Sequence, residues 1–155
     1  MKHGTMRKRS NQRGTRRRTR GGASSLAAFE SNVVCKFLEM LNTIKVYHWK
    51  THSYATHKAT DELYAKLGEN IDKFVEVLLG KAQNRIKLRT KNIPVKDMNS
   101  PQEFKREIDS YKNYLVGLSN NKALGAGGMT NTDLLNIRDE ILGDLNQFLY
   151  LFTFK

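Results

Sequence analysis

Four stretches of the chain repeat apolar residues at spacings of three and four, which is the pattern of a helix with one buried stripe. These stripes cover residues 26–48, 57–82, 104–118 and 134–152. The sequence contains neither the alternating runs nor the hairpin dipeptides that indicate β-strands. At 155 residues the chain has room for one domain of ordinary size. The pattern therefore predicts an all-α bundle of four amphipathic helices.

Local signals place the ends of several helices. Ser100, followed by Pro101 and then Glu103, predicts a capped start for the third helix. The polar stretch 51–56 predicts the turn between the first two helices. Glycines within 125–128 predict a break before the fourth helix, with Thr130 or Thr132 as its cap.

The formal charge of +12 is concentrated at the N-terminus. Residues 1–22 hold nine of the 27 basic residues and no acid, so the remaining 18 basic residues face 15 acidic ones. Residues 1–25 contain almost nothing to bury, which predicts an arm that is disordered in isolation. Gly21 and Gly22 are expected to be its hinge to a folded body at 26–155. The cations assigned to binding are Arg7, Lys8, Arg9, Arg13, Arg16, Arg17, Arg18 and Arg20.

Such an arm can neutralise phosphates and bind nucleic acid without sequence preference and with strong salt dependence. It has no aromatic residue and so cannot stack on bases. The same composition suits a nuclear-import signal or an anchor for another acidic partner. No apolar run reaches the ~18–20 residues of a membrane span, and a single cysteine excludes a disulfide framework. We expect an intracellular protein of the nucleoid or nucleus, or a virion component.

Potential metal ligands lie on the first two helices. His48 ends the first stripe, and His57, Asp61, Asp72 and Glu76 follow on the second helix. At ~100° per residue the latter four fall at about 0°, 40°, 60° and 100°, so they share one face. Imidazole with carboxylates suits iron or zinc, and carboxylate-rich sets lean toward iron or manganese. No nucleophile elbow, phosphate-binding glycine loop or zinc-protease motif is present.

The spacing prevents these ligands from meeting within one chain. A helix rises roughly 16 Å between Asp61 and Asp72, whereas ligands of one ion lie within ~2–2.5 Å of it. Either the two pairs form separate sites, or two antiparallel copies bring His57 and Asp61 of one against Asp72 and Glu76 of the other. The second arrangement requires a two-fold dimer.

The stretch from His48-Trp49 through His57-Lys58-Ala59-Thr60-Asp61-Glu62-Leu63-Tyr64 to Asp72 and Glu76 resembles the signature of the Dps-type miniferritins. Asn131-Thr132-Asp133-Leu134-Leu135 resembles the family's last helix. The resemblance covers residues 26–155 and implies a ferritin-like four-helix bundle. It also implies iron as the metal, a ferroxidase centre shared across a two-fold dimer, a possible closed shell, and a DNA-binding tail. His48, His57, Asp61, Asp72 and Glu76 would be the iron ligands.

The chain departs from the family in three places. The link from His48 to His57 is three residues shorter than usual, the connection before Ser100 lacks a small extra helix, and no Glu-x-x-His of the larger ferritins occurs. A second hypothesis is therefore structural: a bundle with vestigial ligands that holds DNA or a larger assembly through its arm. The Arg/Gly-rich leader resembles those on Dps-like proteins of large DNA viruses, which suits a virion component.

Overall fold

The computed structural model describes residues 20–90, 92–124 and 130–154. They form four α-helices and one short 3₁₀ turn at Leu118–Asn120, and no strand occurs within those ranges. The all-α prediction with four helices is confirmed. The helices are α1 (Arg20–Lys50), α2 (Tyr54–Ala82), α3 (Pro101–Gly117) and α4 (Thr132–Leu151).

The buried core follows the four predicted stripes. Val33, Phe37 and Ile44 of α1 have no exposed surface, and Leu67 of α2 is equally buried. Most of the remaining core residues in the described chain come from the four helices, and they include Phe74, Phe104, Ile108, Leu115, Ile141, Leu145 and Phe148.

Side-chain contacts fix the direction of each helix. His57 at the start of α2 meets His48 at the end of α1, and Asn84 just after α2 bonds Glu30 near the other end of α1. The two helices are therefore antiparallel. α4 is antiparallel to α2, because Lys66 bonds Gln147 while Lys81 bonds Asp133. α3 is in turn antiparallel to α1 and α4.

One long connection joins α2 to α3 and runs beside α1. The Arg89 amide donates to Ser31 Oγ at 2.9 Å, and the Lys96 amide donates to Thr43 Oγ1 at 3.3 Å. From Ser31 to Thr43 the helix rises ~18 Å, so the connection is nearly extended over this part. α2 and α3 consequently point the same way, and no further helix occurs in the described part of the connection.

The predicted starts of α1 and α2 move, since α2 begins at Tyr54, inside the predicted turn at 51–56. α1 begins at Arg20 and includes Gly21 and Gly22, so these glycines are not at a hinge and the predicted arm overlaps the helix. Propagation of a helix adds one hydrogen bond for each residue fixed, which offsets part of the glycine penalty. The arm cations from Arg7 to Arg18 lie outside the described residues.

The start of α3 agrees with the prediction, because Ser100 Oγ accepts a hydrogen bond from the Glu103 amide at 3.2 Å. The start of α4 differs. Asn131, not Thr130 or Thr132, is its N-cap residue, and the side chain makes no capping bond. The glycine-rich break at 125–128 lies outside the described residues. Nowhere in the described chain is there a helix both long and apolar enough to span a membrane.

Candidate metal centre

Two histidine rings stack across the turn between α1 and α2. The ring centroids of His48 and His57 are 3.8 Å apart, and the ring planes differ by 25°. Only residues 51–53 separate the two helices, and Ser53 caps α2 by accepting from the Thr56 amide. The short link between α1 and α2 thus brings the His48 ring into contact with the His57 ring.

Each of the two rings is held by a hydrogen bond to the backbone carbonyl of the other histidine. His48 Nδ1 lies 3.1 Å from the His57 carbonyl oxygen, and His57 Nδ1 lies 3.1 Å from the His48 carbonyl oxygen. A carbonyl oxygen only accepts, so Nδ1 of each ring must carry the proton. In each neutral ring the lone pair is then on Nε2, the atom left to bind a metal.

Thr60 completes the support beneath His48. Its hydroxyl donates to a backbone carbonyl, at 2.8 Å from Thr56 or 3.0 Å from His57, and can therefore accept from His48 Nδ1 at 3.1 Å. Thr60 is fully buried, and His48 is 6% exposed. Hydrogen bonds of this kind from the second nitrogen orient metal-binding histidines in known metal sites.

Asp61 adds a carboxylate to this pair. Its Oδ1 lies 3.9 Å from His48 Nε2 and 3.5 Å from the Lys45 ammonium, which also lies over the Tyr64 ring. The structure therefore places two of the other predicted ligands beside His48, with the His57 ring stacked on it and the Asp61 carboxylate 3.9 Å from its Nε2. Lys45 is the feature that sequence reasoning missed, although its position three residues before His48 places it on the same face of α1.

Asp72 and Glu76 lie apart from these three. Both are exposed on α2, and within the described part of the chain neither forms a hydrogen bond or an ion pair. α2 is one continuous helix, so the ~16 Å rise between Asp61 and Asp72 is retained. No three His, Cys, Asp or Glu side chains among the described residues of one chain form a group that could hold a metal.

A second polar cluster, which the sequence did not reveal, lies between α1, α3 and the long connection. Glu39 is 4% exposed and pairs with Lys36 at 2.9 Å and with Lys96 at 3.6 Å. Lys96 also lies 2.6 Å from Glu107, and this hydrogen bond raises the Lys96 pKa. Since lysines already neutralise both carboxylates, the cluster fastens the connection and offers no open metal site.

No curated protein and no solved structure matches the chain significantly. One family profile matches residues 48–152, a segment that contains all five predicted ligands and both rings of the histidine pair. The chain belongs to that family, DUF5856, a family of unknown function.

Proposed function

We propose that the protein is a Dps-like, ferritin-like protein that oxidises Fe²⁺ at a site shared by two copies of the chain. His48, His57 and Asp61 of one copy and Asp72 and Glu76 of the other supply the ligands. The observation that most supports this proposal is the anchoring of both histidines through Nδ1, which leaves each Nε2 available and places that of His48 3.9 Å from Asp61.

The architecture supports this proposal. The α2–α3 connection is a long crossover that makes two successive helices point the same way, as in ferritin-like bundles and unlike up-and-down ones. Two imidazoles with three carboxylates favour iron over softer metals. Each bound Fe²⁺ gives one electron to the oxidant, and the carboxylates favour the reaction because anionic oxygen stabilises the higher charge of Fe³⁺.

The first test uses anaerobic loading with Fe²⁺ followed by dioxygen. Wild-type protein should oxidise iron in stoichiometric amounts, and Asp72→Ala/Glu76→Ala should not. The control is Asp109→Ala/Glu140→Ala, which removes one aspartate of α3 and one glutamate of α4 that pair with lysines and lie outside the candidate site.

A site shared between two copies can be recognised because two inactive variants should restore activity when they are combined. His57→Ala/Asp61→Ala and Asp72→Ala/Glu76→Ala each remove half of every site. When the two are co-expressed, each mixed dimer regains one complete site, and random pairing restores about a quarter of the wild-type sites because half of two-fold dimers are mixed. Recovery shows a shared site, whereas two inactive variants that stay inactive together would contradict it.

The arm is proposed to bind duplex DNA through its phosphates. Replacing Arg16, Arg17 and Arg18 with glutamine should lower the salt dependence of DNA binding by roughly 0.9 in log–log slope for each phosphate that is no longer neutralised. Binding is measured by fluorescence anisotropy of a labelled duplex over a series of salt concentrations. An unchanged slope would remove the arm from the DNA-binding proposal.

A non-catalytic scaffold is the second candidate function, with the arm as an electrostatic anchor. The Lys45 ammonium favours it, because it occupies a position beside Asp61 that a metal cation would otherwise take. A bundle of this kind binds DNA but shows no oxygen-dependent iron oxidation in the first test.

A further inference from the structure

The folded body concentrates its positive charge in the connection between α2 and α3. From Lys81 to Lys96 the sequence has six basic residues and no acid. This leaves 12 basic against 15 acidic residues in the rest of 23–155, which is therefore net negative. A concentrated patch of one sign attracts a polyanion more strongly than the same charge spread over the surface.

Within this stretch, the cations differ in whether the fold already neutralises them. Lys81 and Lys96 each lie 2.6 Å from a carboxylate, on α4 and α3 respectively. Arg85 and Lys87 are exposed, and in the described ranges neither pairs with a carboxylate. These two charges are available to an external partner.

Arg85 and Lys87 belong to a basic loop, residues 84–90, that is fastened to the first half of α1. Asn84 Nδ2 donates to the Glu30 carboxylate at 3.0 Å, and the Arg89 amide donates to Ser31 at 2.9 Å. A cleft of about 300 Å³ separates the basic loop from α1, with the Glu30 carboxylate buried at its floor.

The basic loop lies at the end of the bundle where the arm joins. α1 begins at Arg20, ~15 Å along the helix from Glu30. The eight arm cations before Arg20 are connected to this end of the body. Loop and arm can therefore contact neighbouring phosphates of one nucleic acid molecule.

We propose that the basic loop is a second nucleic-acid contact, formed by the folded body, that binds the phosphodiester backbone beside the arm. The inference rests on the arm binding nucleic acid, as proposed above. In the described chain, the backbone N–H groups of Ile86, Lys87 and Leu88 donate no hydrogen bond. Phosphate oxygens accept from such groups, whereas the hydrocarbon region of a lipid bilayer offers them no acceptor. The loop therefore suits phosphates better than a membrane.

The test compares full-length Arg85→Gln/Lys87→Gln with the matched control Lys105→Gln/Arg106→Gln. The control removes two exposed cations that also lack a carboxylate partner in the described ranges, but at the opposite end of the bundle. DNA binding is measured over a salt series, and circular dichroism verifies the fold of each variant. Removing two cations that bind phosphates should lower the log–log slope by about 1.8 and weaken binding tens-fold near 0.1 M salt. The control should keep the wild-type slope.

Each outcome separates this inference from the arm proposal. Slopes lowered by the loop variant and by the arm variant, with the control unchanged, support the inference. Equal effects of loop variant and control indicate a general charge effect and overturn it. An unchanged loop variant also overturns it, while an effect of the arm variant then leaves the arm proposal intact. Loss of binding to anionic vesicles without loss of DNA binding assigns the loop to lipid and likewise overturns the inference.

Discussion

His48 and His57 each use one ring nitrogen to hold the fold and leave the other for the proposed metal binding. Nδ1 of each ring holds the turn between α1 and α2 through the other residue's carbonyl, and Nε2 faces away from that bond. The two roles can be separated because asparagine carries an amide donor in place of Nδ1 but has no counterpart of Nε2.

This separation gives a prediction for His57→Asn. The variant should keep the hydrogen bond to the His48 carbonyl. Its free energy of unfolding should therefore stay within about 1 kcal/mol of the wild-type value, a difference no larger than the net value of one such bond. It should lose iron oxidation. His57→Ala should lose the oxidation and also stability, as measured by urea unfolding. Iron oxidation at the wild-type rate in the asparagine variant would show that this ring is not a ligand.

Two tyrosines predict how the fold responds to alkaline pH. Burial raises the pKa of Tyr111 far above its usual value and raises the pKa of Tyr114 to about 12. Since the folded pKa exceeds the unfolded value of ~10, the stability that these phenols contribute is complete below about pH 10 and declines as pH rises toward the folded pKa.

We therefore expect Tyr111 and the half-buried Tyr114 to ionise only together with the loss of helix in an alkaline titration followed by phenolate absorbance and circular dichroism. Tyr114→Phe should reduce the rise in phenolate absorbance that accompanies the loss of helix. A reduced absorbance at pH values where the helices are still intact would contradict the assignment.

At the scale of elements, the long connection is held by polar side chains on α1. Thr43 is fully buried, and its hydroxyl oxygen lies 3.2 Å from the Tyr111 hydroxyl and 3.3 Å from the Lys96 amide. One side chain thus joins α1, α3 and the connection. An extended segment has no internal hydrogen bonds, so it needs such acceptors wherever it is covered.

Replacing Thr43 with valine should remove the oxygen that accepts from the buried Tyr111 hydroxyl and from the half-buried Lys96 amide. Each unsatisfied donor costs about 1–3 kcal/mol, so we expect a loss of roughly 2–4 kcal/mol in urea unfolding. Thr43→Ser keeps the acceptor and is the control. Adding Tyr111→Phe to Thr43→Val removes one of the stranded donors and should recover part of the loss. A strictly additive double variant would show that the two hydroxyls do not interact.

Local signals in the sequence were sufficient for the helices but not for this connection. Ser100 and Glu103 predict the start of α3 because a cap depends on residues three apart in the chain. The apolar stripes predict the core for a similar reason, since helical spacing alone sets which residues share a face. Contacts such as Thr43 with Tyr111 join residues far apart in sequence, and periodicity carries no information about them.

The same distinction applies to the candidate site, where the spacing of the ligands was predictable and the contacts between side chains were not. The ligand spacing on α2 follows from helix geometry and is retained in the continuous helix. The stacking of His48 on His57 and the approach of Lys45 to Asp61 depend on how α1 and α2 pack and on the three-residue turn between them. Neither could be read from the spacing alone.

The exposed face of the α1–α2 pair is electrically asymmetric at the scale of the whole molecule. Lys45 and Lys58 lie at the end that carries His57, together with Asp61 and Glu62, whereas Asp72 and Glu76 lie toward the other end of α2. An antiparallel two-fold dimer places Lys45 and Lys58 of each copy opposite Asp72 and Glu76 of the other. The arrangement proposed for the shared iron site therefore also gives attraction between the two copies.

This asymmetry predicts the outcome of a charge exchange. Asp72→Lys/Glu76→Lys makes both ends of α2 cationic, and Lys45→Glu/Lys58→Glu makes both anionic, so either variant alone should dissociate into monomers at low salt. Mixed together, the two should form a heterodimer, because each end again meets the opposite sign.

Mass photometry of the variants, alone and mixed at low and high salt, measures the fractions of monomer and dimer directly. High salt should weaken the preference for the heterodimer, since screening acts within ~10 Å at 0.1 M. Monomers in every mixture, or equal self-association of both variants, would place the contact between copies on another face, and the iron site could not then be assembled from these five residues.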